Sequence, residues 1–370
     1  MKSLNIDPVD VWLFRDGRPF DADSGHRAVS MFPPLPTVVQ GMLRTAHLVH
    51  KGIDLNDSAA IRAAVGDSKD FGGLRLRGPF LRRAQTALFA LPADVYKSED
   101  GNFCTLDVRD RDTLSGHREF VSTDSGQTHA FLPPHRARPQ KIEETLVDQK
   151  AFDDYLALRP FSADRSGGLW QSEPRMGNGI DSARQTTIEG RLFQVEFKRP
   201  VEGVGLYLEL AAGLWADEPN MPGFRAPFGG ERRVASVGPG ILAKPLPSKV
   251  ISSRLFKVIF LTPTYFGGGW QPANGDWSQH FQVSGNGQLT LLAAAVPKAL
   301  CVGGFDMHGQ VHKPSFRYVP AGSVYVFKAP ADARVLARHD WICDAADGVE
   351  LGHIGFGQFA AGDATAQVTA

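Results

Sequence analysis

Apolar positions along this chain recur mostly with the period of strands, and one stretch stands out with the period of a helix. Residues 3–14, ending in VWLF, read as a strand, since β-branched and aromatic side chains fit a pleated, half-buried surface. A polar, glycine-containing loop, DADSGHRAVS, follows it. Next comes FPPLPTVVQGMLRTAHLVHKG. Two prolines there fix an extended approach, and Thr37 with Gln40 has the spacing of a capping box. Val39, Met42, Leu43, Ala46 and Val49 form one apolar helical stripe, and Gly52 suits the C-terminal cap. Arg44, His47 and Lys51 share the other face, which predicts a solvated surface.

Residues 71–96 are strand material, and the alternation in LRLR puts Arg75 and Arg77 on one face. From about 97 to 187 the chain is rich in polar residues, Gly and Pro, which predicts an insertion with short helices around 142–158. RLFQVEFKR (191–199) and VGLYLELAA (203–211), joined by a short link, predict a β-hairpin. APFGGERRVASVG (226–238) reads as a glycine turn feeding a short strand. A second unit begins near 250, where FKVIFLTPTYF reads as a buried strand. LTLLAAAVPKALCVGG, GSVYVFKAP and a glycine-rich LGHIGFGQFAAG continue it. Strands and helices mixed in two halves predict an α+β class. The expected domains are 1–247, with the insertion at about 97–187, and 248–370.

Length and charge narrow the function classes. The 370 residues give room for two domains, and 40 acidic residues balance 40 basic ones. A polyanion site must therefore be a local patch rather than the whole surface. Of the 40 basic residues 27 are arginine, whose planar fork suits phosphate and stacking contacts. Cys104, Cys301 and Cys343 lie far apart, which argues against a disulfide framework or a cysteine zinc site. No apolar signal core opens the chain, and the longest apolar run, LTLLAAAV, is too short to span a bilayer. A cytoplasmic protein without a membrane partner is expected.

Catalytic and cofactor motifs are missing from the sequence: there is no GxSxG, HExxH, Walker A or EF-hand loop. His308 and His312 have H-x-x-x-H spacing, but Gly309 and Pro314 disfavour a helix there. Gly352, Gly355 and Gly357 stand in the wrong order for a dinucleotide fold, and FGGGW (266–270) lacks the Lys-Ser/Thr of a phosphate loop. No cofactor is expected. The remaining chemistry is basic and aromatic. FRDGRPF (14–20) holds Arg15 and Arg18 around an Asp-Gly turn. The helix start at Thr37 has free amides, and Gly41 in its first turn lets a backbone approach. WQSEPR (170–175) supplies Trp170 and Arg175, and Trp170 or Phe356 is available for stacking. This grouping fits an RNA sugar-phosphate backbone tracked by arginines.

Six fragments in order, FRDGRPF, FPPLPTVVQGMLRT, LWQSEPRMGNGIDSARQTTIEGRLFQVEF, FGGERR, FLTPTYF and GHIGFGQF, resemble the third subunit of the type III-B (Cmr) CRISPR effector complex, of the RAMP superfamily. The resemblance implies two ferredoxin-like (RRM-like) domains packed together, the first with a long insertion. It implies a non-catalytic RNA-binding subunit in antiviral defence that grips the 5′ repeat-derived tag of the crRNA. The implied protein partners are the large polymerase-like subunit and the backbone RAMP subunit. Carried over, Arg15 and Arg18 would lie near RNA or a partner, and Thr37 to Arg44, with Gly41, would line the tag cleft. Glu173, Arg175 and Arg184 fall in an E-P-R…D…R stretch, and Arg232 in a glycine–glycine–acid–arginine turn. Gly355-x-Gly357 around Phe356, with Gly362, approximates the superfamily's glycine-rich loop but is one residue shorter. Two alternatives stay open: a RAMP endoribonuclease using His26 or His47 as general base, and a protein scaffold without RNA contact.

Overall fold

The computed structural model describes residues 1–15, 27–111, 127–133, 142, 145–165, 168–181, 183–184, 186–216, 223–285, 287–306 and 311–369. Strands dominate, and the described residues include three α-helices: α1 (Pro36–His50), α2 (Ser58–Val65) and α3 (Gln149–Leu156). The chain divides into two compact units. One comprises Met1–Gln85, Gly167–Ile241 and Cys301–Arg317; the other comprises Thr86–Ser166, Leu242–Leu300 and Tyr318–Ala370. This division differs from the expected boundary at 247–248 with 97–187 assigned to the first domain. The reason is visible in the pairing of the presumed insertion. Val368–Thr369 run parallel to Asp107–Asp110, with Val368 opposite Val108. Val108 is buried among Leu292, Ala293, Val326 and Ala364.

In the first unit, neighbouring strands run Arg75–Arg83, Val204–Ala212, Lys2–Pro8, Val234–Pro239, Phe224–Pro227, each antiparallel to the next. The strand VGLYLELAA is buried along seven consecutive residues, as expected for a central strand covered on both faces. Both its edges are taken, by Lys2–Pro8 and Arg75–Arg83. The expected hairpin with RLFQVEFKR therefore does not form. RLFQVEFKR belongs instead to the long strand Thr186–Pro200, which pairs with Trp170–Asp181 from Trp170↔Pro200 outward. Gly177 permits this ribbon, because a Cβ there would overlap the ring of Phe193, its cross-strand partner. Residues 3–14 likewise are not one strand. The first ends at Pro8, and VWLF (11–14) forms a buried stretch bridged to the ribbon at Trp12↔Lys198.

Helix α1 lies where its periodicity puts it and closes as a Schellman motif. Gly52, at φ 66°, donates to Val49 O, and Ile53 N donates to Leu48 O. Two details differ from expectation. The N-cap is Leu35 without a side-chain bond, and the amide of Gln40 donates to Thr37 O instead of closing a capping box. Val49 is 63% exposed, whereas His47 and Leu48 are buried, because the ring of Trp215 lies 4.9 Å from that of His47.

The second unit centres on an antiparallel sheet in the order Thr290–Ala295, Val324–Lys328, Leu255–Phe260, Phe359–Asp363. Phe256, Phe260, Phe266, Trp277, Tyr325 and Phe327 fill its core. Helix α3, inside the predicted 142–158 stretch, is N-capped by Asp148, whose carboxylate accepts from Ala151 N at 2.7 Å.

Candidate nucleic-acid interface

The base of the ribbon in the first unit gathers charge by strand alternation. Glu173 and Arg175 sit two residues apart on one strand, Phe197 and Arg199 two apart on its neighbour, and Glu173 lies opposite Phe197. Arg175 reaches Glu173 Oε1 through Nε at 2.8 Å and Nη2 at 2.5 Å. Arg199 reaches Glu173 Oε2 through Nε at 2.8 Å and Asp10 Oδ1 through Nη1 at 2.8 Å. Arg233 stands 3.7 Å from Asp10 Oδ2. The guanidiniums of Arg175 and Arg233 each lie 4.7 Å from the ring centroid of Phe197. Arg175 and then Arg199 hold the Glu173 carboxyl below its ordinary value. The Arg199 hydrogen bond does the same for Asp10. Three arginines against two carboxylates leave one surplus positive charge on a half-exposed surface.

The turn that brings Arg233 here is backbone-strained. Glu231 and Arg232 both adopt left-handed φ, 55° and 51°, which non-glycine residues rarely take. The turn is clamped on VWLF: Gly230 N donates to Leu13 O at 2.8 Å, and a Cβ on Gly229 would overlap that same carbonyl. Phe228 N donates to Arg233 O at 2.6 Å across the turn. Arg232 is thereby held exposed, and its side chain makes no hydrogen bond or ion pair among the described residues. Arg184 stands exposed near the ribbon tip, its backbone N–H held by Asp181 Oδ1 at 3.2 Å.

The other expected residues fall into two groups. Arg15 is exposed and its backbone bridges Ser30. Trp170 is half-buried, with its ring edge-on to Phe32 at 4.7 Å. Thr37 is half-buried at the start of α1, and a Cβ on Gly41 would meet nothing within 4 Å, so that side of the helix is open. Arg18 and His26 lie outside the described residues, as does His308. Arg44 is not the solvated cation expected. It donates to Gln40 Oε1 at 3.1 Å and to Asp67 O at 2.9 Å, and burial lowers its pKa from the ordinary arginine value. The basic strand is also partly neutralised within the unit: Arg77 pairs with Glu209 at 2.7 Å, and Arg82 pairs with Asp7.

In the second unit the glycine-rich tail turns inward. Phe356 is fully buried, its ring 5.3 Å from that of Tyr318. It is a core residue rather than a stacking platform. Gly355 and Gly357 take φ of 108° and 66°. The amides of Gly355, Phe356, Gly357 and Gln358 donate to Gly352 O, Leu351 O, Pro263 O and Thr262 Oγ1. Their donors are thus spent inside the unit, which corrects the expectation of an RNA backbone held by this loop.

Sequence reasoning missed Asp10, Phe197, Arg199 and Arg233. The alternation Phe-x-Arg in EFKRP carried a signal for two of them. Among the described residues no group of three His, Cys, Asp or Glu side chains could hold a metal ion, and no helix is long and apolar enough to cross a membrane.

The fold is shared with a chain of a CRISPR effector assembly. One chain of the type III-B Cmr-beta complex bound to cognate target RNA and AMPPnP matches with a TM-score of 0.50 and 15% identity, over 88% of this chain and 86% of that one. A second Cmr-beta structure, bound to cognate target RNA, matches at TM-score 0.47 and 16% identity, over 88% and 86%. A type III-A Csm3–Csm4 subcomplex matches at 0.37 and 11%, over 91% and 98%. None of the curated proteins matches this chain in sequence. The chain belongs to the family described as CRISPR-associated protein (Cas_Cmr3), which it matches over residues 4–364.

Proposed function

We propose that this chain is a non-catalytic RNA-binding subunit of a type III-B CRISPR effector complex. It holds the 5′ repeat-derived tag of the crRNA and docks the large polymerase-like subunit and a backbone RAMP subunit. The antiviral role follows from that assembly. The observation that carries the reading is the arginine surface of the first unit: Arg175, Arg199 and Arg233 gathered around Phe197, with Arg184 and Arg232 exposed beside them in sequence and strand order. Such a surface suits phosphates and stacked bases without supplying a general base. His47, the described histidine considered for that role, is buried against Trp215. Each unit is read as an elaborated ferredoxin-like (RRM-like) domain around its antiparallel sheet.

The test is fluorescence anisotropy on the full chain, with an RNA carrying the 5′ tag and a scrambled control, and a gel run alongside. Tag-preferring binding without cleavage is expected. The double variant R184E/R232E should bind about tenfold more weakly and lower the salt slope by about 1.4, the share of two single-strand phosphate contacts. Wild-type affinity in that variant would remove the arginine surface from the reading. RNA cut in the gel would favour the endoribonuclease.

A further inference from the structure

Outside the ribbon, the second unit carries a separate cationic and aromatic groove of about 620 Å³, lined among others by Lys249, Ile251, Arg334, Leu336, Arg338 and Trp341. Strand Val335–Ala337 forms one wall and is pinned by pairing with Phe281–Val283. Val335 is buried, while Leu336 is 45% exposed. Arg334 and Arg338, at even spacing from Leu336, are exposed with it. At about 3.3 Å per residue the two arginines stand roughly 13 Å apart along the strand, with an apolar side chain between them.

The donors of these arginines are largely uncommitted. Arg334 makes no side-chain hydrogen bond or ion pair among the described residues. Arg338 spends only Nε there, on Ser278 O at 2.7 Å. Immediately after them, the rings of His339 and Trp341 stack at 5.0 Å between centroids with planes 9° apart. Trp341 is fixed from behind: a Cβ on Gly352 would overlap its ring, and His353 meets it edge-on at 5.1 Å. Lys249 ties the groove together by donating to Gln358 Oε1 at 3.1 Å and to Asp340 O. Lys249, Arg334 and Arg338 against Asp340 leave a surplus of two positive charges.

We infer that this groove is a second single-stranded RNA contact, with Arg334 and Arg338 on phosphates about two nucleotides apart and the His339–Trp341 pair as a base-stacking platform. Spaced guanidiniums alone would suit an acidic peptide equally. The stacked, near-parallel ring pair at the end of the arginine row, with Trp341 fixed from behind, is what favours bases. The inference rests on the reading that the chain binds RNA, and it adds a site that the first unit's arginines do not account for.

The experiment titrates the full chain with a fluorescent oligoadenylate at two salt concentrations, because stacking and charge rather than sequence are invoked. R334E/R338E should bind roughly tenfold more weakly, with the salt slope lowered by about 1.4. His339→Ala, a surface change, should weaken binding severalfold without changing that slope. R184E/R232E serves as the comparison. Undiminished affinity in R334E/R338E, alongside a loss in R184E/R232E, overturns this inference and leaves the first-unit site standing. A wild-type chain that binds no RNA overturns both.

Discussion

The ammonium of Lys257 lies 3.8 Å from Asp94 Oδ2, and both side chains are fully buried in the second unit. Tyr155 donates to Asp94 Oδ1 at 2.8 Å, and the Gln367 amide donates to Oδ2 at 2.8 Å. The ammonium also sits 3.8 Å from the Tyr155 ring centroid. A central sheet strand, the segment around Asp94, α3 and the C-terminal strand region thus converge on one ion pair. At neutral pH, where both groups are charged, deleting one side chain leaves the other buried without its partner, which costs about 3–5 kcal/mol. Lys257→Met should therefore destabilise by that order in urea titrations, and D94N/K257M should recover most of the loss.

The same lysine sets a pH dependence. Burial lowers its pKa from the ordinary lysine value to about 8, with Asp94 and Asp363 opposing. Between pH 8 and the unfolded lysine value near 10.4, the folded chain has released a proton that the unfolded chain still holds. Stability then rises with pH across that window. The wild type should gain up to about 3 kcal/mol relative to Lys257→Met from pH 8 to 10.5. The difference between the two proteins isolates this group from the buried tyrosines, whose raised pKa values act the opposite way. A flat difference would mean the ammonium is relieved by water.

The glycine-rich tail makes a conformational prediction. Gly357 combines φ of 66° with a site where a Cβ would overlap the Ile342 carbonyl. Gly357→Ala adds left-handed strain to overpacking and should cost at least about 2 kcal/mol. Thermal melting of this variant beside Gly41→Ala, whose Cβ meets nothing within 4 Å, separates packing from any general effect of losing a glycine.

These tests bear on what was legible in the chain. The 36–50 helix could be read because its partners recur at a fixed local period. His47 was misassigned because the ring covering it, Trp215, lies far along the sequence. Strand partners are non-local choices, so VGLYLELAA showed its burial but not that both its edges were already taken. The FGGERR turn was legible from its glycines. The fate of Phe356 was not, since an aromatic in a loop looks the same whether it stacks on a base or fills a core. Lys257 gave no sign at all: one charge in an apolar run reveals its partner only once the fold brings Asp94 beside it.

The cysteines should differ sharply in reactivity. Burial pushes the Cys343 thiol up to about 12, while Cys301 is exposed and Cys104 half-buried. The thiolate is the reactive form, so Cys343 should resist maleimide in the native protein and label only on unfolding. Peptide mass spectrometry after timed labelling reads this directly. Early modification of Cys343 would show that the hydrogen bonds flanking it, Ile342 N to Gly357 O and Asp344 N to Tyr265 O, open readily.

Glu173 offers the sharpest test of the ribbon surface, because it is the carboxylate shared by Arg175 and Arg199. Neutralising it leaves both guanidiniums in place and raises the local surplus by one charge. Glu173→Gln should therefore bind single-stranded RNA severalfold more tightly at low salt, with the gain shrinking as salt screens it. The pH profile makes the argument specific. Arg175 and Arg199 hold the carboxyl below its ordinary value, so Glu173 stays ionised throughout the range from pH 5 to 8. The advantage of the variant should be constant across that range. If RNA met these arginines nowhere, the substitution would leave affinity unchanged at every salt concentration. A fall in affinity would mean that the Glu173 bridge, by fixing both guanidiniums, contributes more through geometry than it costs through charge.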